Sequence, residues 1–295
     1  MRSQSFTISS KTERFLTLGS YRPCLIALAL ALLSIAGHAQ KLAVIAPVGT
    51  LQSSSIADQL ARQLSVVVDS DMAMTAFRAG GPKNAFNMTT LEARAAGIRI
   101  GCDMFALVRG DVLRRSSSRN SEYYEAYAAI YLVSTRSGRL IEWRLLSFEA
   151  DKPDTAREKL DAAIPAAAHE TAVIAARSYK LELSQADPLV MEEPPEPGSA
   201  AAATTRSPLP FRRIRPEYTT QASLYNVAAA VEITVDLAED GRILRTEITR
   251  WAGFGLDQAV ETAVRSMNWR PADRNGKPIP MRFTLQYNFK RLDKN

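Results

Sequence analysis

The stretch from Ser184 to Phe211 is the feature that most limits how this chain can fold. It contains Glu192-Glu193-Pro194-Pro195-Glu196-Pro197-Gly198, then a run of alanines, then Pro208 and Pro210. No apolar residues recur here at a helix or strand period, so the stretch has no face to bury. We therefore predict a stiff, extended linker over residues 184–211. The chain on either side of it divides into residues 40–183 and residues 212–295.

Residues 1–39 have the pattern of an export signal. Basic residues precede an apolar run from Leu25 to Ala36, and small residues follow it up to Ala39. This order is typical of a secretory signal peptide cut after Ala39, and the run is shorter than the roughly 20 residues of a membrane span. We expect a protein exported to the periplasm. The alternative is an uncleaved single-pass anchor in the inner membrane, with the rest of the chain facing the periplasm.

Composition excludes several classes of function. The chain has 295 residues, of which 46% are hydrophobic, so it can form real cores. It holds only two cysteines and two histidines, and we find no nucleophile–base pair, phosphate-binding loop or metal-ligand spacing. The net charge of +6 is spread along the chain with alternating signs, which does not indicate nucleic-acid binding. We predict a protein without catalytic residues, metal or cofactor.

Residues 40–183 are predicted to form an α/β domain with a mixed sheet and flanking helices. Two alternating runs, Tyr123 to Ser134 and Arg139 to Phe148, predict a hairpin. The remaining predictions are a strand at 42–46, a helix capped within Ser53 to Ser55, a strand at 66–68, a loop at 69–87, a helix at 91–96 ending before Gly97, a strand at 104–108 closed by Gly110, and a helix at 155–183 that is kinked or broken at Pro165.

The same half resembles the small α/β domains of CsgG-like and TolB-amino-terminal-like envelope proteins. The resemblance rests on the opening strand, on Ile100-Gly101-Cys102-Asp103 before a strand ending at Gly110, and on the hairpin that follows. It implies an interaction module and assigns no site residues. Cys102 is interpreted as a small buried apolar residue.

Residues 212–295 predict a small α+β domain. An alternating run from Val231 to Leu237 is followed by Asp240-Gly241, which supplies the backbone conformation of a tight hairpin turn. A helix with one apolar face is predicted from Leu256 to Met267, and Pro271 stops it. A last strand runs up to Lys290. Trp251, Phe254 and Trp269 are interpreted as core or rim residues rather than ligand contacts.

In this order the motifs resemble the TonB carboxy-terminal domain. They are Arg215-Pro216-Glu217-Tyr218, the strand at 231–237, Asp240-Gly241-Arg242-Ile243, Gly255-Leu256-Asp257, Asn268-Trp269-Arg270-Pro271-Ala272, Asn275-Gly276-Lys277-Pro278-Ile279 and an aromatic last strand. Thr219 departs from the family pattern, which has proline there, and Ala228-Ala229-Ala230 stands where the strand usually opens with glycine.

The resemblance implies a function in binding. Domains of this family grip a short extended peptide near the amino terminus of TonB-dependent outer-membrane receptors. The peptide adds as a strand to the edge of the last strand, which is β-augmentation. Carried over to this chain, the resemblance implies that the partner is bound by Arg215, Tyr218, Met281, Arg282, Phe283, Thr284, Leu285, Gln286, Tyr287, Asn288, Phe289 and Lys290. Tyr218 has a second interpretation, in which it only fixes the path of the chain.

Two non-enzymatic functions remain open at this point. The first is an energy transducer of TonB-dependent transport, whose partners are an outer-membrane receptor and, only if residues 25–39 remain as an anchor, inner-membrane motor proteins. Ser34 and His38 have the Ser-x-x-x-His spacing of transducer membrane helices, but Ala39-Gln40-Lys41 ends the apolar run at once. The second is a soluble periplasmic scaffold of the cell envelope with no energy-transducing role.

Overall fold

The computed structural model describes residues 40–64, 68–118, 120–185 and 190–290. The predicted export signal or anchor in residues 1–39 lies outside the described residues. So do Val66 and Val67 of the predicted strand at 66–68. None of the helices in the described ranges combines the length and the apolarity needed to cross a membrane.

The first half is an α/β structure, as its sequence predicts. Its elements are β1 (Leu42–Ile45), α1 (Leu51–Gln63), α2 (Ser70–Arg78), α3 (Thr90–Ile100), β2 (Met104–Arg115), β3 (Tyr123–Ser134), β4 (Leu140–Ala150) and α4 (Pro153–Ser184). The strands form one four-stranded sheet in the order β1-β2-β3-β4. β1 is parallel to β2, and the other neighbours are antiparallel, with β3 and β4 forming the predicted hairpin.

Both faces of this sheet are covered. Along β2, Met104 and Ala106 point to one face and pack with Leu60 of α1 and Leu160 of α4. The alternate residues of β2 and β3 point to the other face, where α2 and α3 supply Phe77 and other apolar side chains. All of β1 is buried, which is why it is a continuous apolar run instead of an alternating one.

Several predicted boundaries in this half are wrong because local sequence signals were assigned to the wrong residues. The cap of α1 is Thr50, whose hydroxyl accepts the amide of Ser53, so the helix begins at Leu51 and not after Ser53. The region predicted as a loop at 69–87 contains α2. Asp69 caps this helix by accepting the amides of Asp71 and Met72.

Two glycines predicted to end elements serve close packing instead. Gly97 lies inside α3, where a Cβ would stand 2.0 Å from the hydroxyl oxygen of Thr135, and the helix ends at Gly101 with φ of +77°. Gly110 lies inside β2, where a Cβ would stand 2.4 Å from Ile56, and the strand continues to Arg115. Helix α4 runs through Pro165 as a single element.

The second half combines short elements with a three-stranded antiparallel sheet. Its elements are α5 (Ala200–Thr204), β5 (Thr205–Arg206), β6 (Leu209–Pro210), α6 (Thr220–Leu224), β7 (Ala229–Leu237), β8 (Ile243–Arg250), α7 (Leu256–Arg265), β9 (Trp269–Arg270), β10 (Ala272–Arg274), β11 (Lys277–Ile279) and β12 (Met281–Phe289). The sheet has the order β12-β7-β8, so β7 is central and β12 lies at one edge. The predicted helix at 256–267 is α7, which ends at Arg265.

Part of the predicted linker pairs with this half. β5 is antiparallel to β10, and β6 is antiparallel to β9. Ser199 caps α5 just before these strands by accepting the amide of Ala202. Residues 199–210 are thus held against the C-terminal sheet system, whereas residues 186–189 lie outside the described residues.

The two halves share one hydrophobic core. The loop after β8 carries Trp251 and Phe254 onto the second face of the first sheet. The ring of Trp251 lies 5.9 Å from that of Tyr131, and the ring of Phe254 lies 4.8 Å from that of Trp143. The Trp251 indole N–H donates to the carbonyl of Gly138 at 3.2 Å. Trp251, Phe254 and Trp269 are all buried, which confirms that they are core residues.

A charged cluster reinforces this interface. Glu125 of β3 accepts a hydrogen bond from the hydroxyl of Tyr225, next to α6, and forms an ion pair with Arg115 at 2.7 Å. Burial opposes the ionisation of Glu125, but the hydrogen bonds from Ser147, Tyr225 and Arg115 together lower the pKa of its carboxyl. The buried charge is therefore matched by donors from both halves.

Candidate functional site

β12 is an edge strand with two different faces. Met281, Phe283 and Phe289 point into the core and are buried, whereas Thr284, Gln286 and Asn288 are exposed on the opposite face. This alternation follows from the period of two along a strand. The apolar side chains of β12 therefore pack in the domain's own core, and the backbone edge of the strand faces outward.

The direction of one amide shows which backbone groups face outward. The amide of Arg282 donates to the carbonyl of Glu192 at 2.7 Å, and therefore points away from β7. Because N–H and C=O groups alternate sides along an antiparallel strand, those of Thr284, Gln286 and Asn288 point the same way. In the described part of the chain these three residues have no further backbone hydrogen bond on that side.

The opposite edge of the same sheet is partly closed by the first half. Thr89 forms an isolated antiparallel bridge with Arg250, at the end of β8, and the amide of Trp251 donates to the carbonyl of Met88 at 3.2 Å. Beyond the end of β8, the side chain of Asn87 takes over the pairing with Ala230 of β7. β12 is therefore the edge that the first half leaves accessible.

A groove runs between β12 and the chain that leads into the domain, residues 213–218, which we call the approach segment. One part of it, of about 420 Å³, lies between Arg215, Pro216 and Tyr218 on one side and residues 287–290 on the other. An adjoining cleft of about 360 Å³ is more apolar. Its lining includes Leu209, Pro210, Ile214, Met267, Trp269 and Leu285.

Tyr218 has the structural role that was its second interpretation. Its hydroxyl donates to the carbonyl of Val227 at 2.9 Å and lies 3.1 Å from that of Ala222. Its ring stacks on Phe289 with centroids 6.3 Å apart. These contacts hold the approach segment beside the end of β12, so Tyr218 forms a wall of the groove with its half-buried ring.

The rim of the groove is basic. Arg213, Arg215 and Lys290 are exposed. Burial raises the pKa of Tyr287, and the positive charge of Arg213 opposes that shift. At the other end of β12, Arg282 forms a bidentate pair with Asp236 of β7 at 2.6 and 2.8 Å, which raises the pKa of the guanidinium. This pair holds the start of β12 in register with the central strand.

The structure brings together most, not all, of the residues that the sequence singled out. Arg215 and Tyr218 lie beside Tyr287 to Lys290, as expected for one groove. Met281 and Phe283 point from β12 into the core, and their backbone groups face β7, so neither residue faces a partner at the open edge. The apolar wall formed by Leu209 and Ile214 was missed, although Pro208 and Pro210 signalled an extended segment.

Cys102 and the possible metal ligands among the described residues form no second site. Cys102 is buried, and burial raises the pKa of its thiol to about 11, in keeping with an inert apolar residue. Within the described ranges no group of three or more His, Cys, Asp or Glu side chains could hold a metal ion.

With this geometry in place, the comparison with known families identifies the second half. Residues 214–291 match the model of the Gram-negative bacterial TonB protein C-terminal domain. The chain therefore carries a TonB C-terminal domain, as its motifs indicate. Proteins of the TonB family belong to the bacterial envelope, and this domain is in general not enzymatic.

Solved structures give weaker likenesses. The solution structure of the Pseudomonas aeruginosa TonB C-terminal domain is 18% identical, with a TM-score of 0.26, and the match covers 34% of this chain and 94% of that one. The hypothetical protein CT253 of Chlamydia trachomatis is 9% identical over 47% of this chain and 99% of its own, with a TM-score of 0.31. A Neisseria meningitidis lipoprotein, GNA1162, is 13% identical over 45% and 99%, also with a TM-score of 0.31.

At these identities and TM-scores the likenesses say nothing about activity. Among curated proteins, none is similar enough to the chain to count as a match. The resemblance of residues 40–183 to CsgG-like and TolB-like domains stays a prediction.

Proposed function

We propose that this protein acts without catalysis, by binding an extended segment of an envelope partner as an added strand on β12. The partner that fits the family best is the amino-terminal region of a TonB-dependent outer-membrane receptor. The binding residues are the outward backbone groups of Thr284, Gln286 and Asn288, together with the groove formed by Arg215 and Tyr218.

The outward-facing edge of β12 is the observation that carries this proposal. An open row of N–H and C=O groups can pair with any extended chain, and the neighbouring cleft can receive alternate side chains of that chain. Unprotected edges invite aggregation, so a protein that keeps one beside a shaped groove has a use for it. The basic rim favours acidic or neutral segments over basic ones.

The position of Gln286 allows a sharp test. Its side chain is exposed and its amide points away from β7. Gln286→Pro removes that outward donor and leaves the pairing of β12 with β7 in place, since proline is tolerated on an edge whose N–H side faces solvent. Gln286→Ala is the matched control, because it changes the same side chain and keeps the amide.

We expect peptides from the amino-terminal regions of TonB-dependent receptors to bind the full chain and the Gln286→Ala variant, as followed by calorimetry. The Gln286→Pro variant should bind at least tenfold more weakly, because one backbone hydrogen bond is lost and the ring obstructs the edge. Equal binding by the two variants, with both folded by circular dichroism, would exclude strand addition at β12.

The shared core of the two halves favours a second candidate function. A domain that transmits force is expected to move on a tether, whereas here Trp251 and Phe254 fix it to the first sheet. This observation supports a periplasmic scaffold that presents β12 on a rigid body. Mass spectrometry of the chain purified from an envelope fraction separates the two: Gln40 as the first residue would exclude an inner-membrane transducer.

A further inference from the structure

We propose that residues 190–195 form a strap that occupies the first outward position of β12 and so fixes where an added strand must stop. The proposal rests on the proposed strand addition for its functional meaning, but the strap itself is a separate structural claim. It goes beyond the family's peptide grip, because the strap belongs to the proline-rich stretch that precedes the TonB C-terminal domain in this chain.

The backbone of the strap imitates a partner strand at a single position. The carbonyl of Glu192 accepts the outward amide of Arg282 at 2.7 Å, which is the bond that an added strand would otherwise make there. Arg282 is the second residue of β12, so the contact sits at one end of the edge. No described residue pairs through its backbone with the outward groups further along β12.

One acidic side chain of the strap makes an ion pair, and a second lies in the field of Arg282. Glu192 forms an ion pair with Arg274 of β10, the strand that precedes β11 and β12. Arg282 is bound mainly by Asp236, and the charge of Glu193 adds to the field that keeps it protonated. The ion pair between Glu192 and Arg274 is largely exposed and contributes little alone, but together with the backbone bond to Arg282 it holds the strap at the edge.

Among the described residues, the backbone of the strap pairs with β12 at this one position. If the strap ran parallel to β12, residue 194 would face the next outward position, and Pro194 has no amide to donate. If it ran antiparallel, Val190 would face that position, but no backbone hydrogen bond joins Val190 to Thr284. In the part of the chain that the structure describes, the strap therefore covers one position of the edge.

This arrangement predicts the kind of partner that the edge accepts. The segment must be short, since only the stretch from Thr284 to Lys290 remains for pairing. The end that meets the strap must also lack acidic side chains, because Glu192 and Glu193 would repel them. The strap thus sets the position at which the bound segment ends, and it sets which end of that segment must lack acidic side chains.

The test is the double variant Glu192→Ala/Glu193→Ala in the full chain. Glu196→Ala is the matched control, since it removes an acidic residue from the same stretch whose side chain makes no ion pair with the described residues. Without any peptide, the amide of Arg282 should exchange at least fivefold faster in the double variant, while the rate at Thr284 stays unchanged. Both rates should be those of the wild type in the control variant.

Binding then shows whether the strap limits the partner. With receptor-derived peptides as probes, the double variant should bind about fivefold more tightly, because a strap that has lost its ion pair with Arg274 competes less well for the Arg282 amide. Amide shifts on binding should then extend to Arg282. Unchanged exchange at Arg282 together with unchanged affinity would overturn the strap. Faster exchange at Arg282 with no peptide bound by any form would instead uphold the strap and overturn the proposed strand addition.

Discussion

The side chain of Asn87 pairs with the backbone of Ala230 as a neighbouring strand would. It donates to the Ala230 carbonyl at 2.7 Å and accepts the Ala230 amide at 3.0 Å, and it also donates to the carbonyl of Trp251 at 2.8 Å. A residue of the first half thereby satisfies the backbone of β7 where β8 has ended. This contact joins the two halves through a group that must be paired once it is buried.

Removal of that side chain should weaken the whole molecule. Asn87→Ala leaves backbone groups of Ala230 and Trp251 without partners in a buried interface, and we expect it to lower the free energy of unfolding by about 3 kcal/mol. Urea unfolding followed by tryptophan fluorescence measures the change. Asn84→Ala is the control, since Asn84 is exposed and its side chain accepts, among the described residues, only the amide of Phe86, while its backbone carbonyl is kept in the variant. Equal losses in the two variants would contradict this role for Asn87.

The approach of the loop after β8 to the first sheet requires a glycine. At Gly253, φ is +71°, and a Cβ would stand 2.6 Å from the ring of Trp143. Gly276 offers a matched control, because its φ is +78° and a Cβ there would meet nothing within 4 Å. Gly276→Ala should cost about 1 kcal/mol of stability from backbone strain alone. Gly253→Ala should cost at least about 3 kcal/mol, because a clash in a packed core adds to the strain.

Thermal and urea unfolding of the two glycine variants give the comparison. Both variants share the cost of the left-handed backbone. The difference between their losses of stability therefore measures the clash at the interface of the two halves. A similar loss in both variants would mean that the contact with Trp143 is not tight in solution.

The carboxyl of Asp257 gives this interface a dependence on pH. Asp257 lies in the first turn of α7 and accepts the amides of Ala252 and Gly253 at 2.9 and 2.8 Å. Burial raises its pKa from 3.8 to about 6, although these hydrogen bonds favour the ionised form. The folded state therefore holds the proton more tightly than the unfolded chain. The stability that this group contributes is fully present below pH 3.8 and is lost as the pH rises through about 6.

We expect the stability of the wild type, relative to Asp257→Asn, to fall between pH 4 and pH 7 by at most about 3 kcal/mol. The variant cannot ionise at this position, so its own pH dependence comes from other groups. Urea unfolding of both proteins at each pH supplies the difference. A difference that rises with pH would show that the two backbone hydrogen bonds outweigh burial and lower the pKa.

The bond between Tyr225 and Glu125 links α6 to the first sheet. Burial raises the pKa of Tyr225, and its hydrogen bond to the Glu125 carboxylate raises it further, so the hydroxyl stays protonated at physiological pH. Tyr225→Phe should lower the free energy of unfolding by about 1.5 kcal/mol, since Glu125 keeps Arg115 and Ser147 as partners. Tyr123→Phe is the control, because the Tyr123 hydroxyl makes no hydrogen bond with the described residues. If both variants lose the same amount, the bond to Glu125 contributes nothing measurable.

The sequence predicted those parts of the fold that depend on neighbouring residues. The alternation of apolar and polar residues predicted β3 and β4, which form the hairpin. The turn at Asp240-Gly241 predicted the positions of β7 and β8 on either side of it. Helix boundaries were less accurate, because Thr50, Asp69 and Gly101 each compete with nearby residues for the same capping role. The edge position of β12 followed from the family resemblance and is seen in the sheet order.

The sequence by itself determined the α/β half, because periodicity and turn chemistry act over a few residues, and the resemblance of its ordered motifs to a known family determined the TonB C-terminal domain. Only the tertiary structure decided that Asn87 completes the sheet at Ala230, that Trp251 is buried beneath the first half, and that Glu192 meets Arg282. These contacts join residues far apart in the chain. No local pattern records them, since a periodic or turn pattern says nothing about which distant residue a side chain or backbone group will meet.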